Sequence, residues 1–409
     1  MFEEDIMSQS RMTFSKKILQ WLLKKYLEST FEIEVQGNVI KQLGIKPPFL
    51  IVGNHQNNWD GFMMSLYVDE PISFVVSDEQ FRNPIVRRLL TYIDAIPTIK
   101  ARIDISTIKQ IIKAKKENRI IGLFPEGNRT WDGKTQPIYY STAKLIKLLN
   151  IPVVVSKFKG GHLAHPRWAK SSRKGKIIFS YQLLFSETEI EEASVEQINQ
   201  QLTAALEHDE FEFQEQNQFS YQGKKLAEKL ENFLFACPKC ETIGEMKSSN
   251  ELFFCKECAY SVEYTEYGNF KSNRGYVYFN NPRDWNEWQL GLLYEKLNVT
   301  HQKILYSSKN IILKQGERYQ PLKKISMGDI SIDSRHFYFQ SSDKGIQLKV
   351  PLDQIDGLNL QVKNQLDFYY ENQLYRFSFI HSVDSPYMWL KMLEIIQQDF
   401  IAKKRKEKV

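Results

Sequence analysis

Two short stretches carry residue types that could do chemistry together. His55 and Asp60 lie in Asn54-His55-Gln56-Asn57-Asn58-Trp59-Asp60, directly after an apolar run. Glu126 and Arg129 lie in Phe124-Pro125-Glu126-Gly127-Asn128-Arg129-Thr130, also after one. A hydroxyl is a poor nucleophile unless its proton leaves as the new bond forms. A neutral imidazole suits that task because its reference pKa lies near working pH. Asp60 could accept a hydrogen bond from the other ring nitrogen, fixing the tautomer and stabilising the imidazolium. Such base assistance is worth roughly 10²–10⁴-fold in rate. By itself the His-x4-Asp spacing also fits a structural histidine capped by a nearby carboxylate.

The second stretch adds a cation. Gly127 permits close backbone approach, and Arg129 presents a planar fork of donors suited to phosphate. Glu126 could hold Arg129 in place or bond a substrate hydroxyl. The plainer reading is a strand-to-loop turn with a surface ion pair, and His55 upstream weighs against it. Together the stretches point to acid/base chemistry on an anionic substrate. No G-x-S-x-G and no other serine or cysteine stands out as an acyl-carrying nucleophile. His162 and His165 are three residues apart with no evident third ligand, so they are expected to be solvated loop histidines.

All four cysteines fall in two C-x2-C pairs, Cys237/Cys240 and Cys255/Cys258, with fourteen residues between the pairs. Four thiolates in a tetrahedral array select Zn²⁺ or, less often, a single iron. Leu252, Phe253 and Phe254 lead into the second knuckle as a ribbon strand would. A site closed by four protein ligands is structural, so one structural zinc and no catalytic metal is expected. Zinc ribbons often bind nucleic acid. Glu241, Glu245, Glu251, Glu257, Glu263 and Glu266 argue against that here, since they would repel phosphates.

The elements that must position these residues follow from periodicity. Phe14, Ile18, Trp21 and Leu22 recur at helical spacing in an amphipathic segment from Thr13 to Glu28, and Phe31, Ile33 and Val35 alternate as a strand would. After Pro47-Pro48 the pattern is α/β: strands at Phe49–Val52, Ile72–Val76, Ile120–Phe124, Val153–Lys157 and Ile177–Tyr181, with helices such as Asp104–Lys116 and Ser141–Leu149 between them. Ser194-Val195-Glu196-Gln197 reads as a capping box opening a helix that carries Ile198, Leu202 and Leu206. Glu210–Tyr221 lacks a clear period and reads as a linker or boundary. Beyond Lys271 the helix–strand alternation is gone. Alternating stretches at Ile332–Gln340, Ile346–Val350, Leu366–Tyr370 and Tyr375–Ile380 predict a mostly antiparallel β domain. A helix from Ser385-Pro386 that buries Trp389, Leu393, Ile396 and Phe400 closes it.

At 409 residues the chain has room for two or three domains. Its 55 basic against 49 acidic residues leave an excess of +6, too modest to argue for nucleic acid and suited to work near anionic surfaces. No apolar run reaches the length that spans a bilayer. The acidic start Met1-Phe2-Glu3-Glu4-Asp5 precedes no secretory h-region. A cytoplasmic protein, peripheral on the inner face of a membrane, is the expectation.

Residues Phe49 to Gly161 resemble the 1-acylglycerol-3-phosphate acyltransferases and their relatives, glycerolipid enzymes with Asn-His-x4-Asp as catalytic motif and Phe-Pro-Glu-Gly-x-Arg as glycerol-phosphate clamp. A third block of that family resembles Ile96-Pro97-Thr98-Ile99-Lys100, with Lys100 where arginine is usual and Arg102 nearby. A fourth resembles Ile151-Pro152-Val153-Val154-Val155, with Val155 replacing its usual second proline and Ser141 standing where glycine is common. The resemblance implies transfer of a fatty acyl group from acyl-CoA or acyl carrier protein to a lysophospholipid hydroxyl. The acceptor it implies first is 1-acylglycerol-3-phosphate, giving phosphatidic acid. His55 would be general base, Asp60 its orienter, and Glu126, Gly127, Arg129 and Lys100 the substrate contacts. The alternative is a non-catalytic peripheral lipid-binding or scaffold protein with an inactive acyltransferase domain, which need not retain all of His55, Asp60, Glu126 and Arg129.

The organisation expected is an amphipathic helix and leading strand over 1–48, then an α/β acyltransferase domain over 49–220 with helices around a mixed sheet. A small zinc ribbon over 233–270 and a β domain over 275–402 follow, the latter resembling the pleckstrin-homology or GRAM-like group in element order and in Trp389. A basic tail fills 403–409. The Phe14–Leu27 segment could lie in the headgroup plane of an anionic membrane or pack on the α/β core.

Overall fold

The structure, a computed structural model, describes residues 13–100, 104–299, 304–317, 320–380 and 384–406, with no side chains described from 400 onward. The chain forms two compact units, one essentially up to Lys224 and one from Lys225 onward, with Lys100 grouped in the second and Glu266–Gly268 in the first.

The first unit is built on a seven-stranded sheet: β1 (Glu32–Gln36), β2 (Phe49–Gly53), β3 (Ile72–Ser77), β4 (Ile96–Thr98), β5 (Ile120–Leu123), β6 (Val153–Lys159) and β7 (Lys176–Phe185). Their order is β1-β7-β6-β2-β5-β3-β4. All neighbours run parallel except β6 and β7, so the sheet is mixed. Successive side chains of a strand face opposite sides. Phe49 and Ile51 of β2 therefore enter one apolar cluster with Met63, Met64, Phe158 and Phe179, while Leu50 and Val52 enter the other with Ile111, Ala143, Ile146 and Leu202. Burial on both faces explains why β2 and β5 read as unbroken apolar runs.

The strand over Phe31–Val35 is β1, paired with β7, so the leading segment is part of this unit. The capping box at Ser194 opens the Val195–Leu206 helix, whose Ile198, Leu202 and Leu206 are buried as expected. Asp104 caps the Ile105–Lys116 helix through Ser106 N. The linker reading of Glu210–Tyr221 fails, while a boundary lies just past it, after Lys224. Glu210–Asn217 is a helix capped by Asp209, with Glu210, Phe211 and Gln214 buried. Its inward face is largely polar, so no apolar period could announce it.

The second unit opens with an antiparallel four-stranded sheet, β8 (Met246–Ser249), β9 (Leu252–Cys255), β10 (Ser261–Tyr264) and β11 (Phe270–Arg274), in the order β11-β10-β9-β8. A helix then spans Pro282–Val299, contrary to the expectation that helices cease beyond Lys271 until the closing one. Its buried stripe mixes Trp285, Leu292 and Leu293 with Asn286 and Gln289, and those polar members break the apolar period. Gln289 accepts from Phe235 N and donates to the Phe233 carbonyl, while Trp285 Nε1 donates to the Ala236 carbonyl.

A seven-stranded antiparallel sheet follows: β12 (Tyr306–Gly316), β13 (Lys323–Ile332), β14 (His336–Ser341), β15 (Gln347–Pro351), β16 (Asp356–Gln361), β17 (Gln365–Tyr370) and β18 (Gln373–Ser378). The expected stretch Ile332–Gln340 is divided by a turn, where Asp333 accepts from Arg335 N and His336 N. The Pro386–Lys406 helix packs on this sheet with Trp389, Leu393 and Ile396 buried. Trp389 Nε1 donates to Ser308 Oγ at 2.7 Å, which satisfies the one polar atom of that buried ring. Phe400 falls among the undescribed side chains.

Candidate active site and candidate metal centre

His55 follows β2 by two residues and Glu126 follows β5 by three, and β2 and β5 are parallel neighbours. The two stretches therefore leave the sheet side by side at its carboxyl end. That is the edge where open α/β sheets gather ligands, here beside a central strand from which the chain winds to both sides.

The turn after β2 is held by its side chains. Asn54 donates to the Phe158 carbonyl at 2.9 Å and accepts from Phe158 N at 2.7 Å, fixing the loop to β6. His55 Nδ1 lies 2.9 Å from Asp60 Oδ2. The same carboxylate oxygen accepts Gln56 N at 2.7 Å and Asn57 N at 2.9 Å. Asp60 is wholly buried and opens the short Asp60–Ser65 helix, while His55 is about a quarter exposed (23%). Only a donor proton on Nδ1 satisfies a carboxylate there, so the carboxylate assigns the tautomer. Such an imidazole is arranged to accept a proton at Nε2.

Among the described residues Glu126 makes no bond to Arg129. Its carboxylate accepts His55 N at 2.6 Å on one oxygen and Gln136 N at 2.7 Å on the other. It therefore ties the two motif loops together through the main chain. Burial pushes its carboxyl up to about 8, against the pull of those two donors. Gly127 sits at φ +68°, and a Cβ there would lie 2.6 Å from the Tyr139 ring, so only glycine suits the turn.

Arg129 is half-buried, and its Nη1 makes no hydrogen bond among the described residues. Burial lowers its guanidinium to about 10 while the charge of Asp60 acts the other way, and it stays a cation at neutral pH. Its carbonyl accepts Arg167 Nη1 at 2.7 Å, and Arg167 lies 4.7 Å over the Trp131 ring. Lys100, two residues after β4, is half-buried and is grouped with the second unit. Arg102 lies outside the described residues.

Of the two histidines, His162 departs from the expectation, while His165 is a half-buried loop residue. His162 is buried in the short Gly161–Ala164 helix, and burial lowers its imidazole to about 4 although Glu210 and Asp132 oppose the shift. His165 Nδ1 lies 2.7 Å from Ser172 Oγ.

The four cysteines converge as their spacing predicts. All four Sγ atoms lie within 4.8 Å of one another, with Cys237–Cys258 at 3.6 Å and Cys240–Cys255 at 3.8 Å. Tetrahedral bonds of about 2.3 Å put neighbouring sulfurs about 3.8 Å apart. The donor set thus fits one tetrahedral metal ion, and none of the four is in a disulfide.

Residues 32–156 match the family model described as Acyltransferase. Among solved structures, the 1-acyl-sn-glycerophosphate acyltransferase PlsC from Thermotoga maritima aligns at 17% identity and TM-score 0.40, over 50% of this chain and 85% of that one. The N-terminal PH domain of Vps36 aligns at 15% identity and TM-score 0.21, over 24% of this chain and 82% of that one. A chain of the 8S snRNP assembly intermediate aligns at 13% identity and TM-score 0.18, over 24% and 83%. The matched segment begins at β1 and ends within β6, holding both motif turns, and constitutes an acyltransferase-like α/β domain within the longer chain.

Proposed function

We propose that this protein transfers a fatty acyl group from acyl-CoA or acyl carrier protein to the free hydroxyl of a lysophospholipid, with 1-acylglycerol-3-phosphate as acceptor and phosphatidic acid as product. The observation that carries the reading is the His55–Asp60 pair at the end of β2, in a segment that matches acyltransferases. His55 Nε2 takes the hydroxyl proton as the oxygen attacks the thioester carbonyl carbon. Asp60 stabilises the imidazolium that results. The tetrahedral intermediate then collapses, the C–S bond breaks, and the leaving thiolate recovers the proton from His55. No covalent acyl-enzyme is needed. Arg129, whose buried Nη1 has no hydrogen bond among the described residues, takes the acceptor's phosphate. Glu126 holds the geometry through the main chain.

A one-chain lipid lies in a bilayer, so the site must meet a membrane surface. No described helix is long and apolar enough to cross one. The Phe14–Thr30 helix docks by Leu27 and by Gln20, which donates to the Ser65 and Val68 carbonyls. Its opposite side exposes Phe14 (81%), Trp21 (58%) and Leu22 (53%). Ser15 bonds Tyr92, and Lys16 pairs with Asp94 at 3.2 Å, so the Pro84–Tyr92 helix lies alongside and adds Ile85, 79% exposed. Exposed Lys17, Lys25 and Arg88 flank these residues. Tyr26, Trp59 and Phe62 form an aromatic file, at 5.2 and 5.7 Å between centroids, from that helix to the turn carrying Asp60. An interfacial helix with basic flanks suits the anionic inner leaflet. The four cysteines hold one structural Zn²⁺, and the C-terminal β domain serves as a docking module of the pleckstrin-homology or GRAM type.

The deciding experiment presents the purified protein with a panel of lysophospholipids and both donor types. Acylation of lysophosphatidic acid, dependent on His55, is the expected result. Absence of transfer with every acceptor and donor would overturn the reading.

A further inference from the structure

Behind the motif turn lies a charged group that the mechanism above does not use. Glu210 has no exposed surface, and its carboxylate collects four donors. Gln56 Nε2 lies 3.1 Å away, Gly160 N 3.0 Å, Leu163 N 3.3 Å and His208 Nε2 2.8 Å. Burial alone would raise this carboxyl, but the hydrogen bonds from His208 and Leu163 N help hold it below its ordinary value. Burying a charge this deeply is expensive unless every lone pair is met, and a packed apolar residue would close the same gap more cheaply. The arrangement therefore calls for a reason beyond stability.

We propose that Glu210 is a positioning residue for the acyl transfer proposed above, acting through Gln56 to fix the turn that carries His55 and Asp60. The inference rests on that functional reading. Gln56 is the relay. Its Nε2 meets Glu210, its Oε1 accepts Gly161 N at 3.0 Å, and its backbone N donates to Asp60 Oδ2 at 2.7 Å. Asn57 adds a bond from Nδ2 to the Gly161 carbonyl at 3.2 Å. The Gly160-Gly161 turn leaves no slack: a Cβ on Gly160 would fall 2.1 Å from the Lys176 carbonyl oxygen, and one on Gly161 2.7 Å from Gln56 Oε1. A shift of the carboxylate therefore moves Gln56, and with it a backbone N–H that holds the base's partner. Glu210 lies beyond residues 32–156, so this support comes from outside the matched segment.

The test uses the full-length protein. Glu210→Gln keeps the shape but offers one acceptor oxygen where four donors converge. It should lower kcat about 10- to 100-fold, the scale of a small misplacement of a catalytic group, while KM for donor and acceptor stays within about threefold. The ¹³C ring resonance of His55, assigned by its loss in His55→Ala, should shift. Gln56→Ala should give the same signature, and the Glu210→Gln/Gln56→Ala double variant should be no slower than Gln56→Ala alone. If Glu210→Gln does not fold, Gln56→Ala carries the test: wild-type kcat with an unmoved His55 resonance overturns the proposal. A folded Glu210→Gln with wild-type kcat, or fully additive losses in the double variant, also overturns it. Should the wild-type protein acylate no lysolipid, the functional reading falls and the His55 resonance decides: a shift in Glu210→Gln supports positioning, and an unmoved signal overturns it.

Discussion

The imidazole of His55 lies flat on the ring of Phe124, with centroids 4.3 Å apart and planes 19° from parallel. The first residue of one motif is thus the floor beneath the base of the other. Asp60 holds the ring at its Nδ1 edge and Phe124 at its face, so two side chains fix both tilt and rotation. Phe124→Leu should keep the fold, lower kcat about tenfold and leave KM little changed, since it loosens orientation without removing a group. Steady-state kinetics check this.

His55→Ala should abolish detectable transfer with circular dichroism and metal content unchanged. Asp60→Asn should cost about 10²–10⁴-fold in kcat by losing tautomer control. Turnover near wild type in His55→Ala would refute the mechanism.

Arg129→Ala should raise KM for phosphorylated acceptors, with a smaller change in kcat, if the guanidinium grips phosphate equally in ground and transition states. Arg129→Lys should recover only part, because an ammonium offers a point charge where the guanidinium offers a fork. Unchanged acceptor KM in Arg129→Ala would remove Arg129 from the clamp.

Metal analysis should find one zinc per chain. Trp285 reports on it: the ring is fully buried, with Phe253 and Phe270 each 5.3 Å away between centroids. Chelation, or Cys255→Ser, should unfold the small sheet and shift Trp285 fluorescence to the red, because metal binding supplies much of such a module's folding energy. An unshifted spectrum in a metal-free protein would count against a structural role.

Trp21→Glu/Leu22→Glu should weaken binding to vesicles containing anionic lipid while leaving the melting transition in place, since both side chains are exposed. Ile85→Glu should weaken it further. Raised salt should release only part of the wild-type protein, because buried apolar area holds the remainder. Unaltered vesicle binding by the triple variant would shift attention to the C-terminal domain.

His162 titrates near pH 4 in the folded chain and near 6.5 when exposed. Between those values the unfolded chain binds the extra proton, so this group's contribution is complete above about pH 6.5 and is lost as pH falls toward 4. The loss amounts to about 3 kcal/mol. The stability difference between wild type and His162→Asn should therefore narrow by about that much from pH 7 to 4, as read by urea titration of the first unit's transition. A pH-independent difference would contradict neutral burial.

Much of this architecture was legible from residue order because the groups that carry it are periodic or locally paired. β2 and β5 are apolar on both faces, the capping residues Asp104 and Ser194 bond their own helices, and Asp60 is close enough in sequence to reach His55. Where partners are main-chain groups, the sequence is silent. Glu126 accepts from two backbone N–H groups, which every non-proline residue supplies alike, so nothing distinguished that role from a salt bridge with Arg129. The Glu210–Asn217 and Pro282–Val299 helices were hidden for a related reason. Each turns amides or carboxylates inward, and several of their partners, such as Gln56 for Glu210 and Phe235 for Gln289, are distant in sequence.

The place of Glu210 bears on how far the catalytic half of this chain could be transplanted. A fragment trimmed to residues 32–156 keeps every residue of both motifs, and one ending at Phe185 keeps the whole first sheet. The shorter cut strips the acceptor from the Gln56 amide, and the longer one strips it from that amide and from the Gly160 and Leu163 N–H groups as well. The smallest portable version therefore extends at least through Asn217, well past the last residue that looks catalytic.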